Sequence, residues 1–175
     1  MKKLLLVCIS FLLFHCTHSQ QIKLDDHGVS VTLDDNWSYS KLSNDTYVLK
    51  YKCEQDAAFC KNIVIRVIKN TNKETLEQVA QTIVETLPSR YEAYKLVSVK
   101  GDTIEGKEYK VIDYIIKEKD IHLGNTTVVT RRNNDLILFH FAGLNQPKGN
   151  FLKERNSFFA FLAGVQIEHK NENVH

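Results

Sequence analysis

The chain has 175 residues, of which 43% are apolar and 25% charged. That is ordinary globular composition, and it excludes a disordered chain, a collagen-like repeat and a large multidomain enzyme. The formal net charge is +2, and Lys2 and Lys3 account for the excess, so the remainder is neutral and has no electrostatic footprint for nucleic acid.

Lys2 and Lys3 open a leader. The apolar run Leu4 to Phe14 follows, broken only by Ser10. A bilayer span takes roughly 20 apolar residues, so the run is too short to cross and reads as a secretory signal peptide. Two readings of its end stay open. Thr17-His18-Ser19 puts small residues at the two positions a signal peptidase reads, giving a signal peptide of residues 1–19 and a mature chain from Gln20. Leu13-Phe14-His15-Cys16 resembles a bacterial lipobox, with His15 where a small residue is usual, and makes Cys16 a candidate lipidation site. A lipid on Cys16 would be the one membrane attachment; no later stretch is long and apolar enough to span. Residues 20–28 read as an N-terminal extension, 29–168 as a single domain and 169–175 as a polar tail.

Strand signals dominate the domain. Val29-Ser30-Val31-Thr32-Leu33 alternates apolar and polar residues, which puts its apolar side chains on one face. Tyr47–Tyr51 and Ile63–Ile68 follow, rich in β-branched and aromatic residues. Between them Cys53 and Cys60 bracket Glu54 to Phe59. A pair with six residues between its members fits neither usual zinc spacing nor a thioredoxin-type motif, and in an oxidising compartment it predicts a disulfide. That bridge would staple the base of a loop and stabilise the fold by about 2–3 kcal/mol.

Thr71-x-x-Glu74 predicts a capping box opening a helix with an apolar stripe of Leu76, Val79, Ala80, Ile83, Val84 and Leu87, ended by Pro88. Strands are predicted over Lys95–Lys100, Tyr109–Lys117, Thr126–Arg132 and Asp135–Ala142. The last two are joined by a tight turn at Arg132-Asn133-Asn134-Asp135, where Asn tolerates left-handed backbone. A second helix follows Asn150, with Phe151, Leu152, Phe158, Phe159 and Leu162 as its stripe, Arg155 within it and Gly164 past its end. Short turns between successive strands imply an antiparallel sheet. The fold class expected is α+β: a central antiparallel sheet with two amphipathic helices packed on it.

The order of elements resembles the Mog/PsbP-like superfamily, including small exported bacterial proteins of that fold. The resemblance runs through Val31–Tyr39 leading into Trp37, with Asp34 where the family usually has proline. It continues through the strand pair Tyr47–Lys52 and Ile63–Ile68, the helix Glu74–Leu87 and the strand Lys107–Tyr114 after Gly106. It ends with the strand Leu136–Ala142 and the aromatic run Phe158-Phe159-Ala160-Phe161-Leu162. It implies an α/β sandwich, and members that are mostly non-enzymatic: docking or assembly factors, envelope lipoproteins and some immunity proteins that bind toxins. Fold alone does not fix function.

The residues themselves contain no nucleophile elbow, P-loop, zinc-protease helix or dinucleotide fingerprint. His27, His122, His140, His169 and His175 show no helical metal spacing. His122 and His140 lie in or beside strands that could be neighbours; a satisfied histidine at the core edge is expected there ahead of a cross-strand zinc pair. Asp25-Asp26 and Asp34-Asp35-Asn36 lack the alternating ligands of a calcium loop. Asp113, between Ile112 and Tyr114, is a partly buried carboxylate with no nucleophile beside it. No catalytic residue, cofactor or metal is expected. The function expected is non-enzymatic protein binding in the cell envelope, as an immunity or assembly factor, with an envelope protein or exported toxin as partner. The candidate contact residues are Asp56 and Phe59 in the cysteine-bracketed loop, Tyr39 beside Trp37, and Arg131 and Arg132, read as solvent-facing. The alternative is a small-molecule or lipid carrier with an apolar pocket between the sheet and the Phe151–Phe161 helix. A hydrolase with an unrecognised site ranks last.

Overall fold

The computed structural model describes residues 19–24, 27–146 and 150–168. The leader with Cys16, the Asp25-Asp26 pair, Pro147 and the polar tail lie outside the described residues. Among the described residues ten strands and two helices follow one another: β1 (Ser19–Lys23), β2 (Val29–Asp34), β3 (Trp37–Ser43), β4 (Thr46–Tyr51), β5 (Asn62–Lys69), α1 (Leu76–Thr86), β6 (Ala93–Ile104), β7 (Lys107–Glu118), β8 (Ile121–Arg132), β9 (Asp135–Leu144), α2 (Asn150–Ala163) and β10 (Gln166–Ile167). A short 3₁₀ turn, Leu87–Arg90, continues α1. Seven strands form one sheet in the order β3-β4-β5-β9-β8-β7-β6, and β1-β2-β10 form a second. Every pairing is antiparallel. The α+β class with a central antiparallel sheet holds.

Alternation along β9 sorts the two faces of the large sheet. Ile137, Phe139 and Phe141 point into the main core with Phe151, Phe158 and Leu162 of α2 and Val29, Val31 and Leu33 of β2. Leu136 and Leu138 point the other way, toward Val79 and Ile83 of α1. One face therefore carries α1, and the opposite face carries α2 together with the small sheet. Fully burying a Phe or Leu side chain stabilises by about 1.5–3 kcal/mol, so the larger α2-side core dominates the cohesion. Within it Phe158 stacks on Phe141 with ring centroids 5.1 Å apart. Leu152, expected in the stripe, instead faces solvent.

The start of α1 differs from expectation for a local reason. The capping box is built by Thr75 and Gln78: Gln78 N–H donates to Thr75 Oγ1 at 3.2 Å, and Thr75 N–H donates to Gln78 Oε1 at 2.8 Å. Thr71 is displaced from that role by Asn70. The Asn70 side chain accepts from Glu74 N–H at 2.9 Å and donates to Glu74 O at 2.9 Å, closing a loop. Lys73 takes a left-handed φ of 55° in it, which no continuing helix allows. The predicted turn between β8 and β9 holds, with Asn133 at φ 51°.

Candidate functional site

The cysteine-bracketed loop sits at the end of the β4–β5 hairpin. Cys53 and Cys60 are joined in a disulfide with Cα atoms 5.9 Å apart. Just inside it, Tyr51 N–H donates to Lys61 O at 3.0 Å and Lys52 N–H donates to Asn36 O at 2.7 Å, so the loop base is tied to both neighbouring strands. Asp56 is exposed, but Phe59 is only half-exposed. Its ring packs against the α1-side cluster that includes Ala80, Leu87 and Tyr114. Phe59 therefore anchors the loop to the body, and Asp56 is the candidate left facing outward. Beside the loop base, Trp37 meets Tyr51 edge-on at 5.3 Å and Lys61 lies 4.0 Å over the Tyr51 ring. Lys61 also pairs with Glu154 of α2 at 3.0 Å.

Next to this loop runs β3, an edge strand that pairs with β4 on one side. Tyr39 stacks on Tyr47 at 6.1 Å yet stays 37% exposed, and Leu42 is 69% exposed. Tyr39 and Asp56 are thus both surface residues, on β3 and on the loop beyond β4. The two arginines diverge. Arg131 is exposed and donates to Glu74 O at the start of α1. Arg132 contradicts its solvent-facing reading: it is 6% exposed, and its Nε donates to Glu168 O. The strand alternation that turns Arg131 outward turns Arg132 into the gap between the two sheets.

Among the described residues the expected carrier pocket is not formed between the sheet and α2. Phe151 lies so close over Gly124 that a Cβ there would sit 2.1 Å from the ring, and Phe151, Phe158 and Leu162 fill the α2–sheet space. Asp113 is 4% exposed and fully engaged. Its Oδ1 accepts from Thr126 Oγ1 and from Arg155 Nε, each at 2.8 Å, and its Oδ2 accepts from Ser98 Oγ at 2.8 Å. Arg155 stacks over Phe159 with 4.5 Å to the ring centroid. This is a structural ion pair that bolts α2 to three strands.

No family model and no curated protein matches the sequence. Solved structures do. Cyanobacterial PsbP (CyanoP) of Synechocystis sp. PCC 6803 is similar at TM-score 0.61 and 13% identity, over 86% of this chain and 92% of that one. The Ran-binding protein Mog1p of Saccharomyces cerevisiae is similar at TM-score 0.61 and 8% identity, over 87% and 97%. The fold is Mog/PsbP-like. LpqN of Mycobacterium tuberculosis, described as involved in cell envelope biogenesis, is similar at TM-score 0.57 and 12% identity, over 86% and 91%.

Within the Mog/PsbP-like fold the two strand histidines separate. His140 of β9 faces Thr127, while His122 O accepts from Asn145 N–H further along the ladder, so no cross-strand pair forms. Among the described residues no group of three or more His, Cys, Asp or Glu side chains could hold a metal. His140 Nδ1 lies 3.0 Å from Thr127 Oγ1 and 3.4 Å from Tyr114 OH. Burial holds its pKa down at about 4 and pushes Tyr114 above the ordinary phenol range. At neutral pH both are uncharged hydrogen-bonding groups. Sequence reasoning missed this cluster because its members come from three strands and carry no spacing signature.

Proposed function

We propose that this chain is an exported, non-enzymatic protein of the cell envelope that works by binding another protein. The observation that carries this reading is the Cys53–Cys60 disulfide, which suits an oxidising compartment. It holds an exposed loop in one shape beside the β3 edge. A loop ordered before contact loses less entropy on docking. An open strand edge offers backbone hydrogen bonds to an incoming segment. Tyr39, Leu42 and Asp56 would lie on the contact surface, with the immunity or assembly role as its concrete form. LpqN, with the same fold, is described as an envelope-biogenesis protein and Mog1p as a Ran-binding protein, which supports a surface-presenting role without identifying the partner here.

Photo-crosslinkers placed at Tyr39 and at Asp56 in the exported protein test it. Both are expected to capture the same envelope protein, while one at Gln81, exposed on α1, captures none. Cys53→Ser/Cys60→Ser is expected to weaken capture about tenfold or more as the loop gains freedom. Absence of any common product in envelope extract at low salt, or capture that is indifferent to the disulfide, overturns the assignment of this surface. Intact-mass measurement of the same preparation reads the leader cleavage point and any acyl chains on Cys16.

A further inference from the structure

On the α1 face of the large sheet, opposite α2, a cavity of about 340 Å³ opens between α1, its 3₁₀ extension and the strands. That is the small end of the range of ~300–1,000 Å³ spanned by small-molecule sites. Ile83, Leu87 and Leu138 give it apolar walls. Tyr114, Thr127 and His140 form its polar floor. Both hydroxyls lie within hydrogen-bond reach of His140 Nδ1, at 3.0 Å for Thr127 Oγ1 and 3.4 Å for Tyr114 OH. Arg66 of β5 and Arg90 of the 3₁₀ turn line the exposed rim. Neither guanidinium makes an ion pair or a side-chain hydrogen bond among the described residues, and no Asp or Glu lines the cavity.

Two unpaired arginines over an apolar recess without a single carboxylate define a complementary ligand. The forked guanidinium matches a planar carboxylate, and the walls match a hydrocarbon body. We propose that this cavity binds a small organic carboxylate with an aromatic or short aliphatic body, its acid group at the Arg66–Arg90 rim and its body against Ile83, Leu87 and Leu138. The closed floor and the volume select a small molecule over a peptide or a nucleic acid. This site lies on a different surface from the β3 edge and does not depend on the protein-binding reading.

The test is an amide and imidazole NMR titration of the exported protein, disulfide intact, with benzoate and hexanoate. Benzyl alcohol and hexanol serve as uncharged counterparts and inorganic phosphate as a bare anion. Saturable shifts are expected at Ile83, Leu87 and Leu138 and at the His140 ring with both acids. The alcohols and phosphate are expected to bind at least tenfold more weakly. Arg66→Gln and Arg90→Gln, both at exposed positions, are each expected to weaken acid binding by about tenfold and leave alcohol binding unchanged. A pocket-filling Leu138→Phe is expected to abolish both. Equal binding of acids and alcohols, phosphate as strong as benzoate, or no saturable shift at these residues overturns the proposal.

Discussion

Asp113 and His140 show how one sheet treats buried polar groups in two ways. Donors from Arg155, Thr126 and Ser98 surround the Asp113 carboxylate; removing one partner of such a buried pair typically costs about 3–5 kcal/mol. His140 is kept neutral by burial, its pKa lowered from 6.5 to about 4. Tyr114 from β7, Arg66 from β5, and Arg90 and Tyr91 from the turn after α1 line the same cavity as the ring. In that window the unfolded chain takes up a proton on this ring that the folded chain refuses, so stability falls as pH drops from about 6.5 to about 4. The loss amounts to roughly 3 kcal/mol across the window. Urea unfolding of wild type and His140→Gln between these pH values reads it as a difference of slopes. Two parallel stability curves would show that the imidazole is not held neutral by the fold.

At the scale of elements, what the sequence made legible follows from where each segment lies. β2, β4, β5, β7 and β9 announce themselves because their alternating β-branched and aromatic residues face a core. β1 and β3 do not, since SQQIK and WSYSKLS are mostly exposed edge segments, and an edge strand needs little apolar pattern. The start of β8, residues 121–125, was missed for the opposite reason: Gly124 and Asn125 look like loop residues yet are buried. Thr126 is there to serve Asp113, and Gly124 to admit Phe151. The candidate contact surface was legible only in part. The disulfide could be read from two cysteines, whereas the inward turn of Phe59 and Arg132 depends on contacts between distant segments. The Gly124–Phe151 seat is testable. Gly124→Ala has no relief but displacement of α2 and is expected to cost about 1–3 kcal/mol by overpacking. Adding Phe151→Leu should recover part of that loss, giving a coupling of more than about 0.5 kcal/mol in a double-mutant cycle by chemical denaturation. Strict additivity would mean the two residues do not share the space.

The molecule as a whole is two sheets joined through a shared apolar core, and one buried side chain adds a polar link between them. Arg132 ends β8 of the large sheet, and its Nε donates to Glu168 O just past β10 of the small one. Glu168 N–H in turn donates to Gly28 O at 2.7 Å, immediately before β2. Gly28 has φ +59°, and a Cβ on it would stand 2.3 Å from the Arg132 guanidinium, so the turn is shaped both to bend and to leave room for that group. Lys107 Nζ adds a second link at 3.3 Å to Val165 O. Losing the Arg132 bond removes a hydrogen bond from a charged donor, worth about 1.5–3 kcal/mol, and the cost falls on the small sheet because its three strands have little pairing of their own. Arg132→Ala is therefore expected to speed hydrogen exchange in β1, β2 and β10 by ten- to a hundredfold while β7, β8 and β9 keep their protection, the pattern of a local opening. Gly28→Ala should give the same map for a different reason, strain and displacement of the same guanidinium. If Arg132 were a surface contact residue, its removal would change partner capture and leave exchange in the small sheet untouched; an unchanged exchange map would return it to the surface and dissolve the joint.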